Sequence, residues 1–262
     1  MKKTLFFFFL LLVGLHCSVF ATKPFRFALF SDLHISSLNQ QPSEDLQRAI
    51  SDVNALQGIE FVIISGDVSN LGDTVSLRMA KQLLSELHMP YYIIPGNHDV
   101  KWYETGDVNF KAVFGNTHFD FTFNTIRFLG FTSAPRTNKG VGFIQPEALE
   151  WMKTALEKSG TVNPFIIITH YPLQTGDVEN WKDMTELLKK HDVRAVLGGH
   201  YHRNVLFNYD GIPGIINRST LRGDDETGGY SVYSISDSIR TSEKRIGEPE
   251  VKWLTLPFEN KN

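Results

Sequence analysis

Phe61-Val62-Ile63-Ile64-Ser65-Gly66-Asp67 is an apolar run, three of its four members β-branched, that stops on a serine, a glycine and a carboxylate. So short a run without polar alternation is the pattern of a strand buried on both faces, as parallel strands are inside an α/β protein. The flanking sequence agrees. Phe25 to Phe30 reads as a strand ending at Ser31-Asp32, and Ser43 is placed to cap a helix with Leu46, Ile50, Val53 and Leu56 at helical spacing. Asp73 is placed to cap a second helix with Val75, Met79, Leu83 and Leu87 facing inward, and Tyr91 to Ile94 is a third strand stopping at Pro95-Gly96. This βαβαβ run implies a parallel sheet.

Further along, His118 to Phe123 and Thr125 to Phe131 read as a hairpin across Asn124-Thr125, and Pro146 opens a helix through Leu149, Met152 and Leu156. Phe165 to Thr169 and Val193 to Leu197 are again buried strands, separated by a helix near Trp181 to Lys190. Val205 to Tyr209, Ile212 to Asn217, Gly229 to Ser236 and Glu250 to Leu256 then read as hairpin strands. With no repeat, low-complexity stretch or long linker, residues 22–262 are expected to form a single domain.

The first 21 residues belong to targeting rather than to the fold. Lys2 and Lys3 precede an unbroken apolar run from Leu5 to Val13, and Val19-Phe20-Ala21 offers a cleavage site after Ala21. The segment falls short of the roughly 20 apolar residues of a spanning helix. Acylation of Cys17 is the less favoured alternative, because His16 stands where a small residue is usual. The expectation is therefore a cleaved signal peptide and a secreted or periplasmic protein with no transmembrane segment. Cys17 is the only cysteine, so no disulfide framework is available. A formal net charge of -3 gives no basic excess to attract nucleic acid, which disfavours a nuclease but suits a small phosphorylated substrate. The oligomeric state is not legible.

Residues of metal-ligand type recur at the ends of the buried strands: Asp32 and His34, Asp67, Asn97-His98-Asp99, His170, and His200 with His202. In an open α/β sheet the carboxyl ends of parallel strands share one edge, where ligands bind. Gly66, Gly96, Gly198 and Gly199 accompany these ends and are expected to permit the tight turns there. Residues two apart in extended chain face one side, so Asp32 with His34, and His200 with His202, can point together. Imidazole, carboxylate and amide ligands suit Mn, Fe or Zn better than Ca or Mg. Two such ions about 3.5–4 Å apart would neutralise a phosphate ester and supply a hydroxide nucleophile from a shared water.

Taken in order, Asp32-Leu33-His34, Gly66-Asp67, Gly96-Asn97-His98-Asp99, His170 and Gly199-His200-Tyr201-His202 resemble the motif set of the calcineurin-like metallophosphoesterases, over about residues 25 to 235. The resemblance implies a four-layer αββα sandwich, two mixed β-sheets flanked by helices, of the metallo-dependent phosphatase type. It implies metal-dependent hydrolysis of phosphomonoesters or phosphodiesters. It also implies two divalent transition metal ions, with Asp32, His34 and His202 on one, Asn97, His170 and His200 on the other, and Asp67 bridging. His98 would act as general acid or stabilise the transition state, with Asp99 orienting it. Purple acid phosphatases of this superfamily carry a metal-binding tyrosine three residues after the bridging aspartate; here that position is Asn70, which points away from a tyrosinate site and toward the bacterial phosphodiesterase branch. The alternatives are an extracytoplasmic nuclease and a binding protein that keeps the fold without catalysis.

Substrate contacts are harder to see. Trp102, Tyr103 and Tyr171 stand next to the motifs and could stack on a base or sugar or simply pack under the loops. Arg136 and Arg218 could contact a phosphate or be ordinary charges. His88, His118 and His191 lack a motif and read as surface or structural residues.

Overall fold

The structure is a computed structural model that describes residues 23–102, 106–135, 140–158, 163–223 and 227–258. The assigned signal peptide, Cys17, Tyr103 and Arg136 lie outside the described residues.

The βαβαβ run forms as expected. Strands β1 (Phe25–Phe30), β2 (Ile59–Ile64) and β3 (Tyr91–Ile93) pair in parallel, connected through helices α1 (Gln41–Ala55) and α2 (Thr74–Leu84). Helix α3 (Val108–Phe114) follows, then the hairpin β4 (Phe119–Phe123) and β5 (Ile126–Gly130), helix α4 (Pro146–Glu157), β6 (Phe165–Ile168), helix α5 (Trp181–Leu188) and β7 (Val193–Gly198). The remaining strands are β8 (Val205–Tyr209), β9 (Ile212–Ile216), β10 (Gly229–Ile235), β11 (Ser238–Arg245) and β12 (Glu250–Pro257). They assemble into two six-stranded mixed sheets, ordered β12-β11-β10-β1-β2-β3 and β4-β5-β6-β7-β9-β8.

The period of two along each buried strand builds the layers. In β1, Phe25, Phe27 and Leu29 face the second sheet while Ala28 and Phe30 face the helices. In β2, Phe61 and Ile63 point inward and Val62 and Ile64 outward. From the other side Ile166, Ile168, Ala195 and Leu197 complete the inter-sheet core, and Phe165, Ile167 and Val196 turn to α4 and α5. The result is the expected αββα sandwich. Among the described residues no helix is long and apolar enough to cross a membrane.

Four local expectations need correction. Helix α1 starts at Gln41, before Ser43, because Pro42 takes the first turn; the Ser43 hydroxyl is buried without a hydrogen-bond partner. Helix α2 is capped by Asp73 as expected, its carboxylate accepting from the Ser76 amide at 2.8 Å. Its buried stripe, however, is Leu77, Ala80 and Leu84, with Val75 exposed and Met79, Leu83 and Leu87 only partly buried. Helix α3 and strand β11 carried too weak an apolar pattern to be assigned. Finally, the ligand-bearing strand ends do not share one sheet: β1, β2 and β3 lie in one, β6 and β7 in the other.

Candidate metal centre

Both sheets present their carboxyl ends to the same rim of the sandwich, and the loops there continue the ladder past the strands. The Asp32 amide donates to Gly66 O at 3.0 Å, the His34 amide to Asp67 O at 2.9 Å and the Ile35 amide to Val68 O at 3.0 Å. This zipper brings Asp32, His34 and Asp67 together. From the opposite sheet the Gly199 amide donates to His170 O at 2.9 Å, and the His200 amide caps the Asp32 carboxylate at 3.1–3.2 Å.

The tight turns fall mainly on the candidate ligands themselves. Of seven described non-glycine residues with positive φ, five are Asp32, His34, Asp67, His200 and His202, at φ 55°, 48°, 50°, 73° and 55°. Each left-handed L-residue costs about 1–2 kcal/mol, a strain that clusters at functional sites. Asn124 and Asp210, the other two, sit in hairpin turns. Of the four motif glycines only Gly66 has positive φ (109°). Gly96 is there for space, since a Cβ on it would fall 2.2 Å from Asp67 Oδ1.

The donor atoms form two sets. In the first, His34 Nε2 lies 3.1 Å from His202 Nε2, which lies 3.3 Å from Asp32 Oδ1. In the second, the Asn97 side-chain oxygen lies 3.2 Å from His170 Nε2 and 3.1 Å from His200 Nδ1. Asp67 Oδ2 faces both, 3.8 Å from His34 Nε2 and 3.2 Å from His170 Nε2. Ligands about 2.0–2.2 Å from one ion at tetrahedral or octahedral angles stand about 3–3.5 Å apart; the spacings of 3.1–3.3 Å fit this, while the 3.8 Å from Asp67 to His34 is wider. The Asn97 orientation fits as well. With both imidazoles neutral and no ion the amide nitrogen would turn inward, whereas an ion bound by their lone pairs calls for the oxygen.

Three of the donors, His170, Asp32 and Asp67, are held from behind. His170 Nδ1 donates to Ser65 O at 2.9 Å, which leaves Nε2 for the site. Ser31 Oγ donates to Asp32 Oδ2 at 2.5 Å, and the His98 amide donates to Asp67 Oδ1 at 2.7 Å, freeing Oδ2 to face both sets. Tyr201, between His200 and His202, donates to Asp177 Oδ2 at 2.7 Å.

Burial and charge set the protonation of the ion-free site. Burial opposes charge on His170, yet the Asp67 and Asp32 carboxylates raise it to about 9. His202 is raised by its hydrogen bond with Asp32. Burial pushes His34 down to about 4, and His200 to about 4 with help from His170. Burial also works against ionisation of Asp67, but His170 holds that carboxyl well below the usual range. Ion binding must therefore displace the proton of His170 at any pH below about 9, and any proton that the Asp32 hydrogen bond holds on His202. Apparent ion affinity should rise with pH between 6 and 8, about tenfold per unit for each proton displaced. Calorimetric titration in buffers of different ionisation enthalpy should show at least about one proton released per chain near pH 7; an affinity flat across that range would contradict it. The sign for the ion-free fold is opposite. The His170 charge stabilises it fully below the ordinary imidazole pKa of about 6.5, and this is lost as pH rises through about 9.

His98 lies at the edge of the first set, its ring edge-on to His34 with centroids 4.7 Å apart. Asp99 does not orient it. The Asp99 carboxylate accepts from the amides of Gly96, Val68 and Ser69 and from Ser69 Oγ at 2.7–3.0 Å, locking together the loops after β2 and β3. Burial and the charge on Asp67 push Asp99 up to about 7 against those donors. His98 Nδ1 instead donates to the Asn70 carbonyl at 2.7 Å, so Asn70 serves the site through its backbone. His98, His34, His202, Asn70, Ser36 and Asn39 line an open groove of about 400 Å³.

The weaker substrate candidates do not reach the groove. Arg218 is 6% exposed and pairs with Glu243 at 2.7 Å. Tyr171 is 1% exposed and packs its ring 4.1 Å from His200, supporting that ligand from below. Trp102 is exposed and lies edge-on to His98 at 5.9 Å. His88, His118 and His191 stay away from both sets; His118 lies tilted against Trp151 and His191 meets Phe165 edge-on. The supporting residues Ser31 and Asp177, and Lys101 beside Asn97, are not legible as site residues from the motifs alone. Lys101 had a legible signal: the turn after Asn97, closed by its amide on Asn97 O at 2.9 Å, returns it to that side chain.

A two-sheet sandwich with clustered histidines and aspartates at one rim defines a phosphoesterase-like candidate site. Residues 25–204 match the profile of the calcineurin-like phosphoesterases, and the chain belongs to that family of phosphoric ester hydrolases. It is 29% identical over 225 residues to a "probable cyclic nucleotide phosphodiesterase" of Vesicomyosocius okutanii, covering 79% of this chain and 92% of that one. It is 28% identical over 189 residues to a "probable glycerophosphodiester phosphodiesterase" of Arcobacter nitrofigilis, covering 65% of this chain and 60% of the relative. Among solved structures, a dimetal phosphatase from Danio rerio superposes with a TM-score of 0.67 at 13% identity, covering 90% of this chain and 99% of that one, which supports the fold.

Proposed function

We propose that the protein hydrolyses phosphodiesters of small alcohols, with two divalent transition metal ions held by Asp32, His34 and His202 and by Asn97, His170 and His200, and shared through Asp67. The observation that carries this is Asp67 Oδ2, one carboxylate oxygen turned to both donor sets, with His98 beside it on the groove. Ions bound there would neutralise the phosphoryl oxygens and lower the pKa of a water held between them.

The chain's own groups do the rest. The Asn70 carbonyl accepts from His98 Nδ1, which leaves Nε2 for the substrate; His98 would enter the step as the imidazolium, give its Nε2 proton to the departing alcohol and be left as the Nδ1–H tautomer. The groove beside it offers Ser36, Asn39 and Asn70, neutral hydrogen-bonding groups suited to a hydroxylated alcohol. The relatives named as phosphodiesterases support a diester over a monoester. A net charge of -3 argues against a nucleic acid. The N-terminal targeting pattern would put the reaction outside the cytoplasm.

The experiment is a screen of protein loaded with Mn, Fe or Zn on matched substrates: bis(4-nitrophenyl) phosphate, 4-nitrophenyl phosphate, a cyclic nucleotide and a glycerophosphodiester. Turnover of the diesters at higher kcat/KM than the monoester is expected. Turnover of the monoester alone would overturn the diester assignment, and no turnover with any metal would overturn the hydrolase.

A further inference from the structure

Lys101 holds a cation beside the centre that nothing above uses. Its Nζ lies 3.2 Å from the outer atom of the Asn97 amide, and 4.5 Å above the ring of Trp102. With the Asn97 oxygen directed at His170 and His200, that outer atom is Nδ2. In that orientation, the one an ion calls for, two donors face one another and neither has an acceptor among the described residues; without an ion the reversed amide would accept from Lys101 Nζ instead. Asn97 is 2% exposed, so its amide cannot turn to bulk water instead. A buried N–H and an ammonium aimed at the same point lack one thing, an anionic oxygen.

We infer that Lys101 Nζ and Asn97 Nδ2 form a seat for a nonbridging oxygen of the substrate's phosphoryl group, making Lys101 a substrate-contact residue. This rests on the proposed function, since the ester must lie across the two donor sets to present that oxygen. The backbone builds the seat: the turn from Asn97 to Lys101 folds the side chain back over the amide, and the Trp102 ring supports the ammonium. A charged hydrogen bond in such a place accounts for about ten- to hundredfold in affinity.

The test is calorimetric titration of inorganic phosphate into the metal-loaded protein, comparing wild type with Lys101→Met and Lys101→Arg, with metal content measured on each. Lys101→Met should weaken phosphate binding at least about tenfold and raise KM for the diester more than it lowers kcat, at unchanged metal content. Lys101→Arg should stay within a few-fold of wild type. Equal phosphate affinity in wild type and Lys101→Met would overturn the seat. So would loss of an ion from Lys101→Met, which would make Lys101 a brace for Asn97. If wild type itself neither holds ions nor turns over any ester, the proposed function fails and the seat with it. If wild type does both and Lys101→Met binds phosphate equally well, only the seat fails.

Discussion

Asp67→Asn should lose hydrolysis by at least about a thousandfold and lose bound ions, while the fold survives. The reason lies in the two oxygens of one side chain. Oδ1 accepts from the His98 amide at 2.7 Å, and Oδ2 faces His34 and His170. Asparagine has one oxygen, and the buried His98 amide claims it, because leaving that donor unsatisfied costs about 1–3 kcal/mol. The replacement NH2 must then point between the two donor sets, where it repels a cation. Metal analysis, a melting curve and an activity assay on one preparation check this. A variant that keeps two ions and near-wild-type turnover would remove Asp67 from the centre of the account.

His98→Ala should lower kcat by about 10²–10⁴-fold, the range of general acid catalysis, with both ions retained and KM little changed. His98 is not among the proposed ligands, although its ring stands with His34 and Asp67 close enough to hold an ion, so retained metal content is part of the test. The size of the loss should depend on the leaving group. A nitrophenolate departs without a proton, whereas the alkoxide of a glycerol or ribose needs one. The variant should therefore be impaired far more on an alkyl diester than on bis(4-nitrophenyl) phosphate. An equal loss on both would reassign His98 from proton donor to electrostatic support.

What was legible in the sequence follows from which interactions are local. The buried strands announce themselves because a strand covered on both faces leaves no polar alternation, and each ligand sits within a few residues of such a strand's end. The partition of those strands between two sheets is a matter of long-range pairing, and no single segment encodes it. Strand β11, Ser-Ile-Arg-Thr-Ser-Glu-Lys-Arg, is not legible because Ile239 is its one apolar residue; its other buried positions are Ser238, Thr241 and Lys244, and the charges Lys244 and Glu243 pair with distant Asp52 and Arg218. Helix α3 is only seven residues long, and its Asp107 makes no side-chain cap. At the site, the identity of the donors was readable but their supports were not. Asp99 was expected against His98 because a carboxylate commonly steadies an imidazole. The turn instead carries Asp99 inward to four donors from two loops and leaves His98 to a backbone carbonyl. The left-handed backbone at Asp32, His34, Asp67, His200 and His202 was equally hidden, since no residue there is one that favours it as glycine does.

The central claim is that one carboxylate joins two ion sites into a single hydrolytic centre. It is tested most directly by returning Mn to metal-stripped protein in known equivalents while following hydrolysis of bis(4-nitrophenyl) phosphate. The stripped protein should be inactive, and activity should climb until two ions per chain are bound and then level off. Hydrolysis that survives stripping, or that is complete with one ion per chain, would contradict the account.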